Sequence, residues 1–170
     1  MFGCIGIVGL GLIGGSLGLE LQNLGIKVCG LAHRLETVER AKQRKLVDFV
    51  SNDPAILSDC DVIILALPLE KLINPPDELI TSLPEKAVVT DVGSVKIPVI
   101  NTWSQLHPRF VPSHPMTGTA YSGVNSGELG LFKNRPWVVT PGINTDSEAV
   151  EIIRKIAIAL GSKWIVTNPK

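Results

Sequence analysis

The sequence predicts an α/β domain built on a doubly wound, mostly parallel sheet with helices on both faces. Three observations lead to this prediction. Strand-like and helix-like patterns alternate along the chain, which is typical of successive βαβ units. The strand segments are largely unbroken apolar runs, as expected for strands covered on both faces. The first of these runs leads directly into Gly9-x-Gly11-x-x-Gly14, where a tight turn would join a strand to a helix.

The glycine motif predicts a dinucleotide-binding turn of the Rossmann type. Gly9 is expected to turn the chain sharply, Gly11 to let the backbone approach a pyrophosphate, and Gly14 to let the helix pack closely. Free N–H groups at the start of that helix, around Leu12 and Ile13, would hold the phosphates. The alternative is an ordinary glycine-rich turn that binds nothing.

The other elements follow from turn and capping residues. Gly25 and Gly161 each end a helix, Pro68 stops a strand, and Asp146 opens the last helix. The predicted strands are Cys4–Val8, Lys27–Leu31, Val62–Ala66, Ala87–Thr90, Phe110–Pro112, Trp137–Thr140 and Lys163–Val166. The predicted helices are Ile13–Leu24, Glu36–Arg44, Leu72–Leu83, Ile97–Gln105 and Asp146–Leu160. The polar segment Ser113–Asn134 is long for a plain connection, so it is expected to be functional.

Composition excludes several classes of function. A chain of 170 residues with 45% hydrophobic residues is one domain with an ample core. Its formal net charge of zero offers no basic surface to nucleic acid or to an anionic membrane. The sequence contains no apolar run long enough to span a bilayer and no recognisable signal peptide, so we expect a cytoplasmic protein. Motifs typical of serine hydrolases, zinc proteases and P-loop NTPases are missing from the sequence.

The chain has three cysteines, Cys4, Cys29 and Cys60, all in or beside predicted strands. We expect them to be buried free thiols in a reducing compartment, where they act as small hydrophobic residues. Their odd number and their spacing argue against a metal site.

The residues after the second strand favour NADP over NAD. Ala32 stands where an NAD-specific site usually has an acidic residue. His33 and Arg34 follow, and a guanidinium can pair with a 2′-phosphate, to which Thr37 could add a hydroxyl. In the alternative interpretation, Arg34 is a solvated charge and Glu36 serves the ribose of NAD.

Two further strand ends carry candidate ligand contacts. The turn at Leu67 and Pro68 would run beneath the adenosine ribose and diphosphate, or Pro68 would simply stop the strand. Ser94 could orient a nicotinamide or a substrate hydroxyl at the mouth of the sheet. The alternative is that Ser94 or Asp91 caps the next helix.

Among the histidines, His114 is the candidate general base. It follows a strand, inside the long polar segment, and histidine titrates in the range suited to taking a proton from an alcohol during hydride transfer. His107 lies in a Leu-His-Pro loop and is expected at the surface.

Together these motifs resemble one enzyme family. The Gly9–Gly14 turn, the run Thr90-Asp-Val-Gly-Ser-Val-Lys96 and the run Ser113-His-Pro-Met-Thr-Gly-Thr119 occur in the order seen in the prephenate/arogenate dehydrogenases of tyrosine biosynthesis. The second and third motifs are much more specific than the first. The resemblance covers nearly the whole chain and is greatest to the cyanobacterial and plant arogenate-type branch.

The resemblance implies an oxidative decarboxylation of arogenate or prephenate. The ring carbon that bears the hydroxyl gives a hydride to the nicotinamide, and loss of carbon dioxide makes the ring aromatic. His114 matches the catalytic histidine that takes the hydroxyl proton, and Ser94 matches the serine that positions the nicotinamide and hydroxyl. Gly118 and Thr119 match the loop that lines the substrate pocket.

The resemblance also implies a cofactor and a domain organisation. In the arogenate-type branch, a small or hydroxyl residue followed by Arg after the second strand is associated with NADP, and Ala32-His33-Arg34 departs from that pattern. Family members continue into an all-helical C-terminal domain that forms the homodimer and supplies substrate contacts. Residues 1–170 resemble the nucleotide-binding domain only. Two alternatives stay open, a non-catalytic NAD(P)-binding or regulatory domain and a related 3-hydroxyacid-type dehydrogenase.

Overall fold

The computed structural model describes residues 2–117 and 129–168, which form two sheets and the helices around them. The strands of the first sheet are β1 (Ile5–Val8), β2 (Val28–Leu31), β3 (Phe49–Ser51), β4 (Val62–Leu65), β5 (Val88–Asp91) and β6 (Phe110–Val111). The second sheet contains β7 (Ser113–Pro115), β8 (Pro136–Val139) and β9 (Lys163–Val166). The α-helices are α1 (Leu12–Asn23), α2 (Leu35–Arg44), α3 (Leu69–Ile73), α4 (Asp77–Ser82), α5 (Ile97–Leu106) and α6 (Ser147–Ala159).

The first sheet is parallel and has the order β3-β2-β1-β4-β5-β6. Its winding reverses between β1 and β4, and ligands of doubly wound sheets bind beyond the carboxyl ends of the strands at such a point. The predicted Rossmann-like fold class is therefore confirmed.

Side chains of each strand alternate between two hydrophobic clusters, one on each face of the sheet. In β1, Ile5 and Ile7 belong to the cluster that contains buried residues of α1, α2 and α6. Val8 belongs to the cluster on the other face, with buried residues of α3, α4 and α5. Helices therefore cover both faces, which explains why the central strands carry no polar alternation.

Helix boundaries agree with the capping residues. The Asp146 carboxylate accepts hydrogen bonds from the backbone N–H groups of Glu148 and Ala149, at 2.9 and 3.3 Å, and so caps α6. Gly25 and Gly161 follow α1 and α6 with a φ of +81° at each, in the left-handed region that commonly ends a helix.

The structure corrects three predictions. The predicted helix Leu72–Leu83 is two short helices, α3 and α4, because Pro75 and Pro76 interrupt it. The strand β3 is not predicted from the sequence, because its three residues, of which Phe49 is exposed and the other two half-buried, carry little pattern.

The third correction is the second sheet, which the sequence analysis did not predict. Its strands β7 and β8 are antiparallel, with His114 opposite Val138, and β8 and β9 are parallel. Part of the predicted functional loop Ser113–Asn134 is thus a strand, and a strand as short as β7 is defined by its partner rather than by its own sequence.

Candidate functional site

The glycine turn lies at the winding reversal, as the motif predicts. Gly9 has a φ of +96°, and its N–H donates to the Leu31 carbonyl at 2.9 Å. A Cβ at Gly14 would overlap the Gly9 carbonyl oxygen, so only glycine lets α1 start this close to the turn. Helix α1 follows an N-cap glycine, Gly11, and no side chain caps it. Its first N–H groups, from Leu12 and Ile13 onward, are those that could bind a phosphate.

The turn after β4 lies against the glycine turn. The Ala66 N–H donates to the Val8 carbonyl at 2.8 Å. A Cβ at Gly9 would overlap the Ala66 carbonyl oxygen, which shows how closely the two backbones approach. Pro68 is the N-cap of α3 and Leu67 packs partly against the core. The two predicted cofactor loops therefore lie against each other beside the winding reversal.

The end of β2 presents the third group of candidate cofactor residues. Ala32 is buried, His33 and Arg34 are exposed, and Thr37 is half-buried in the first turn of α2. The Arg34 guanidinium lies 3.7 Å from the Glu36 carboxylate, and both side chains are largely exposed. A cation and an anion thus stand side by side here, and an exposed pair of this kind is held weakly enough to rearrange around a ligand.

At the end of β5, the structure shows a role for Asp91 that the sequence analysis missed. The Asp91 carboxylate is fully buried and forms an ion pair with the Lys96 ammonium, which is itself buried. The N-cap of α5 is Lys96, with no side-chain cap, so the alternative that Asp91 or Ser94 caps this helix is wrong. Ser94 is exposed on the loop between the two charged residues.

The buried ion pair connects the β5 loop to the start of β7. The Lys96 ammonium donates to the Ser113 carbonyl at 2.7 Å, and the Ser113 N–H donates to the Asp91 carboxylate at 3.1 Å. The Ser113 hydroxyl donates to the Asp91 carbonyl at 2.9 Å and lies 2.7 Å from the Thr90 hydroxyl. These bonds fix the residue that directly precedes His114.

Burial acts on both charges of the pair. It raises the pKa of the Asp91 carboxyl and lowers the pKa of the Lys96 ammonium, and in each case the partner's charge opposes the effect. The pair keeps its charges only while both partners and their hydrogen bonds are present. The sequence did show one relevant feature, an acidic and a basic residue five positions apart at a buried strand end.

His114 lies on β7 rather than in a loop, which corrects the sequence-based placement. Its side chain is half-buried, and its ring Nδ1 lies 3.3 Å from the Val92 carbonyl oxygen. A carbonyl only accepts, so the hydrogen bond puts the proton of the neutral ring on Nδ1 and leaves the lone pair on Nε2. The ring is therefore held against the loop that carries Ser94, with the tautomer that a general base needs.

Three further residues were named from the sequence: Gly118, Thr119 and His107. Gly118 and Thr119, the candidate substrate contacts, lie outside the described residues. His107 is buried rather than at the surface: its Nε2 lies 2.9 Å from the Pro84 carbonyl oxygen and its Nδ1 accepts from the Arg109 N–H at 3.1 Å. It is therefore a structural residue, whose ring contacts the Pro84 and Arg109 backbone and not the candidate site.

Across residues 2–117 and 129–168, helices long and apolar enough to cross a membrane are absent.

Comparison with known proteins gives consistent results. Residues 17–166 match the family model described as prephenate dehydrogenase, nucleotide-binding domain. The prephenate dehydrogenase of Bacillus subtilis is 30% identical over 175 residues, which cover 96% of this chain and 46% of that protein. The chain thus spans about half the length of this curated relative.

Two solved structures are similar throughout the chain. One is Synechocystis arogenate dehydrogenase, with a TM-score of 0.93 and 38% identity over 98% of this chain and 60% of that one. The other is prephenate dehydrogenase from A. aeolicus in complex with hydroxyphenyl propionate and NAD+, with a TM-score of 0.90 and 27% identity over the same shares.

Proposed function

The chain belongs to the prephenate dehydrogenase family, and from this premise we propose that it is the NADP-binding and catalytic part of a dehydrogenase that oxidatively decarboxylates arogenate. The observation that carries the proposal is the attachment of His114 to the loop that bears Ser94, at the carboxyl ends of the strands beside the winding reversal. We propose that this base and this hydroxyl contact the substrate beside a nicotinamide that binds along the same edge.

Three groups of residues fit a dinucleotide. The glycine turn and the uncapped start of α1 offer backbone N–H groups to the pyrophosphate. The backbone at Leu67 and Pro68 follows the turn that lies against the glycine turn. Arg34, with His33 and Thr37 beside it, offers a cation to a 2′-phosphate, and this supports NADP. Glu36 would accept from the ribose of NAD if Arg34 were not used.

The nicotinamide of a bound cofactor would supply the hydride acceptor for the ring carbon that bears the substrate hydroxyl. His114 takes the hydroxyl proton on Nε2, because Nδ1 donates its own proton to the Val92 carbonyl. We propose that Ser94, which is exposed on the neighbouring loop, orients the hydroxyl and the nicotinamide. The electrons of the carbon–carboxylate bond remain in the ring as carbon dioxide leaves, so the ring becomes aromatic and the step is irreversible.

The choice of arogenate rests on similarity. Identity is higher to the Synechocystis arogenate dehydrogenase, at 38%, than to the A. aeolicus prephenate dehydrogenase, at 27%. Prephenate is the alternative substrate, and Gly118 and Thr119 are the residues of this chain that we propose to contact either one. The family resemblance also supports a homodimer formed through a helical domain, in a cytoplasmic enzyme.

The test is turnover of arogenate and of prephenate with NADP+ and NAD+, followed by the absorbance of the reduced nicotinamide. The assay is run with the chain alone and, separately, with the chain joined to the helical domain that the resemblance implies. We expect His114→Asn to lower turnover about a hundredfold or more, the usual contribution of a positioned base, while cofactor affinity stays unchanged. His107→Asn is the control, because it removes a histidine that lies outside the site.

Unchanged turnover in His114→Asn would refute the proposed mechanism. If the chain alone and the chain joined to the helical domain both bind NADP+ but turn over neither substrate, the result would instead support a regulatory nucleotide-binding domain.

A further inference from the structure

Three thiols form a cluster at the end of the first sheet where its strands begin, opposite the candidate cofactor site. The Sγ atoms of Cys4, Cys29 and Cys60 all lie within 4.8 Å of one another. The sulfur of Cys4 lies 3.1 Å from that of Cys29 and 3.6 Å from that of Cys60. All three are free thiols and all are buried. We name this group the cysteine triad.

We propose that the cysteine triad is a three-coordinate site for a soft cation of the Cu(I) class. Sulfur ligands select soft ions such as Cu(I). Metal–sulfur bonds are about 2.3 Å long, so three sulfurs on one ion lie about 4 Å apart, which the triad reaches with small side-chain shifts.

The backbone holds the triad in place. Cys29 lies within β2, in register with Gly6 on β1 and with Phe49 on β3. The Asp61 N–H donates to the Cys4 carbonyl at 2.9 Å, which joins the segment with Cys60 to the start of β1. A site on such strands is organised before the ion arrives.

Gly6 leaves the space that the triad occupies. A Cβ at this position would lie 3.0 Å from the Cys60 sulfur and closer still to the Leu57 side chain. The absence of a side chain on Gly6 therefore lets the Cys60 sulfur approach the sheet beside the other two.

The donor set favours a three-coordinate ion over zinc. Among the described residues, the triad is the one group of three or more His, Cys, Asp or Glu side chains whose ligand atoms come this close together, and no fourth such ligand joins it. Zn²⁺ in structural sites takes four protein ligands in a tetrahedron. Three sulfurs alone suit Cu(I).

Two clefts lead toward the triad from the edge where the strands begin. A cleft of about 600 Å³ is lined by Cys4 and Cys29 together with Lys27. A second cleft, of about 560 Å³, is lined by Cys60 with Asp59 and Asp61. Asp59 lines both clefts, and basic side chains outnumber acidic ones in each, so the selectivity of the proposed site rests on the sulfurs and not on the charge of its entrance.

Binding of Cu(I) by the triad displaces thiol protons and changes no oxidation state. Burial raises the pKa of Cys4 and Cys60 to about 11 and that of Cys29 to about 12, while the Lys27 charge lowers the pKa of Cys4 and Cys29 by a smaller amount. Each sulfur that binds Cu(I) as a thiolate releases its proton to solvent, copper keeps its oxidation state, and no electron moves. The same raised pKa values disfavour a peroxide-sensing role, which needs exposed thiolates.

The test is an anaerobic titration of the reduced chain with Cu(I), in competition with a coloured Cu(I) chelator. We expect one Cu(I) per chain, and we expect Cys29→Ala and Cys60→Ala each to weaken binding more than about tenfold, or 1.4 kcal/mol. Ile63→Val is the matched control, because it removes a similar volume from the same hydrophobic cluster and keeps all three sulfurs. Circular dichroism verifies that each variant folds.

Equal affinity in the wild type and both cysteine variants would overturn the proposal, since copper would then bind single thiols. An equal loss in Ile63→Val would overturn it as well. Copper X-ray absorption of the wild-type protein gives a test without any substitution: three sulfur neighbours support the triad, whereas fewer sulfurs contradict it. Zn²⁺ that binds as tightly as Cu(I) would contradict the proposed selectivity.

Discussion

The hydroxyl of Thr90 lies 2.7 Å from the hydroxyl of Ser113, and this contact joins the last residues of β5 to the strand that carries His114. Both residues are fully buried. The Thr90 hydroxyl oxygen also lies 2.6 Å from the Val111 carbonyl oxygen. With the Asp91–Lys96 ion pair beside it, the contact makes the junction of the two sheets a polar network inside an apolar domain. Satisfied networks of this kind are rigid, and partly satisfied ones are costly.

The first prediction concerns the buried ion pair. Lys96→Met leaves the Asp91 carboxylate buried without its cation, so we expect the free energy of unfolding to fall by about 3–5 kcal/mol. Adding Asp91→Asn to this variant removes the uncompensated charge and is expected to restore part of the loss. Denaturant unfolding measures all three proteins.

The control for this prediction is a surface pair. Lys42→Met breaks an exposed contact with Glu39 of 3.6 Å, and such pairs contribute about 0–1 kcal/mol. Equal losses in Lys96→Met and Lys42→Met would contradict the prediction that the buried pair contributes more to stability than the exposed one.

The second prediction concerns cofactor choice. Arg34→Ala is expected to weaken NADP+ binding at least about tenfold, or 1.4 kcal/mol, and to leave NAD+ binding unchanged, because only NADP+ carries the 2′-phosphate. Arg40→Ala is the control, since Arg40 is an exposed arginine farther along the same helix. Calorimetric titration with each nucleotide measures the effect. If the wild type prefers NAD+, Glu36 rather than Arg34 contacts the ribose.

The third prediction concerns the start of α1. Gly14→Ala places a Cβ onto the Gly9 carbonyl oxygen, so the turn and the helix must separate and the phosphate site must deform. We expect loss of nucleotide binding and a lower melting temperature. In Gly142→Ala the nearest atom to the new Cβ is the Thr145 hydroxyl at 3.8 Å, an ordinary contact, and binding should persist. Normal nucleotide affinity in Gly14→Ala would place the cofactor elsewhere.

The fourth prediction concerns pH and His107. Burial lowers the pKa of His107 below its ordinary value of 6.5; the Pro84 hydrogen bond opposes this shift and the nearby Arg109 charge adds to it. The unfolded chain therefore binds the proton more readily, and stability falls as the pH drops below 6.5. His107→Gln removes the titrating group, so its free energy of unfolding should fall less steeply over that interval. Parallel slopes in unfolding experiments across this pH range would contradict the prediction.

Much of the site could be predicted because its signals are local. The glycine motif specifies a turn whose backbone only glycine adopts, and Gly9 and Gly14 lie where the motif predicts. Residues at the ends of parallel strands share one edge of the sheet, so Leu67, Ser94 and Arg34 could be assigned to that edge from the order of elements alone.

Other features depend on pairing between distant segments. His114 was expected in a loop because a three-residue strand has no periodicity of its own, and only its pairing with β8 defines it. The Leu-His-Pro run indicates a loop, and loops lie mostly at the surface, so the sequence predicts an exposed His107. Its burial depends on the Pro84 carbonyl, which is 23 residues away in the sequence.

By itself, the sequence determined the fold class, the glycine turn and the edge of the sheet where the candidate cofactor residues gather, because strand–turn–helix signals are short-range. The tertiary structure alone decided that Asp91 pairs with Lys96, that Ser113 is fixed beneath His114, and that three cysteines meet at the opposite edge. These contacts link positions on separate strands. Their distances depend on strand order and register, which arise from burying the whole sheet at once rather than from any local run of residues.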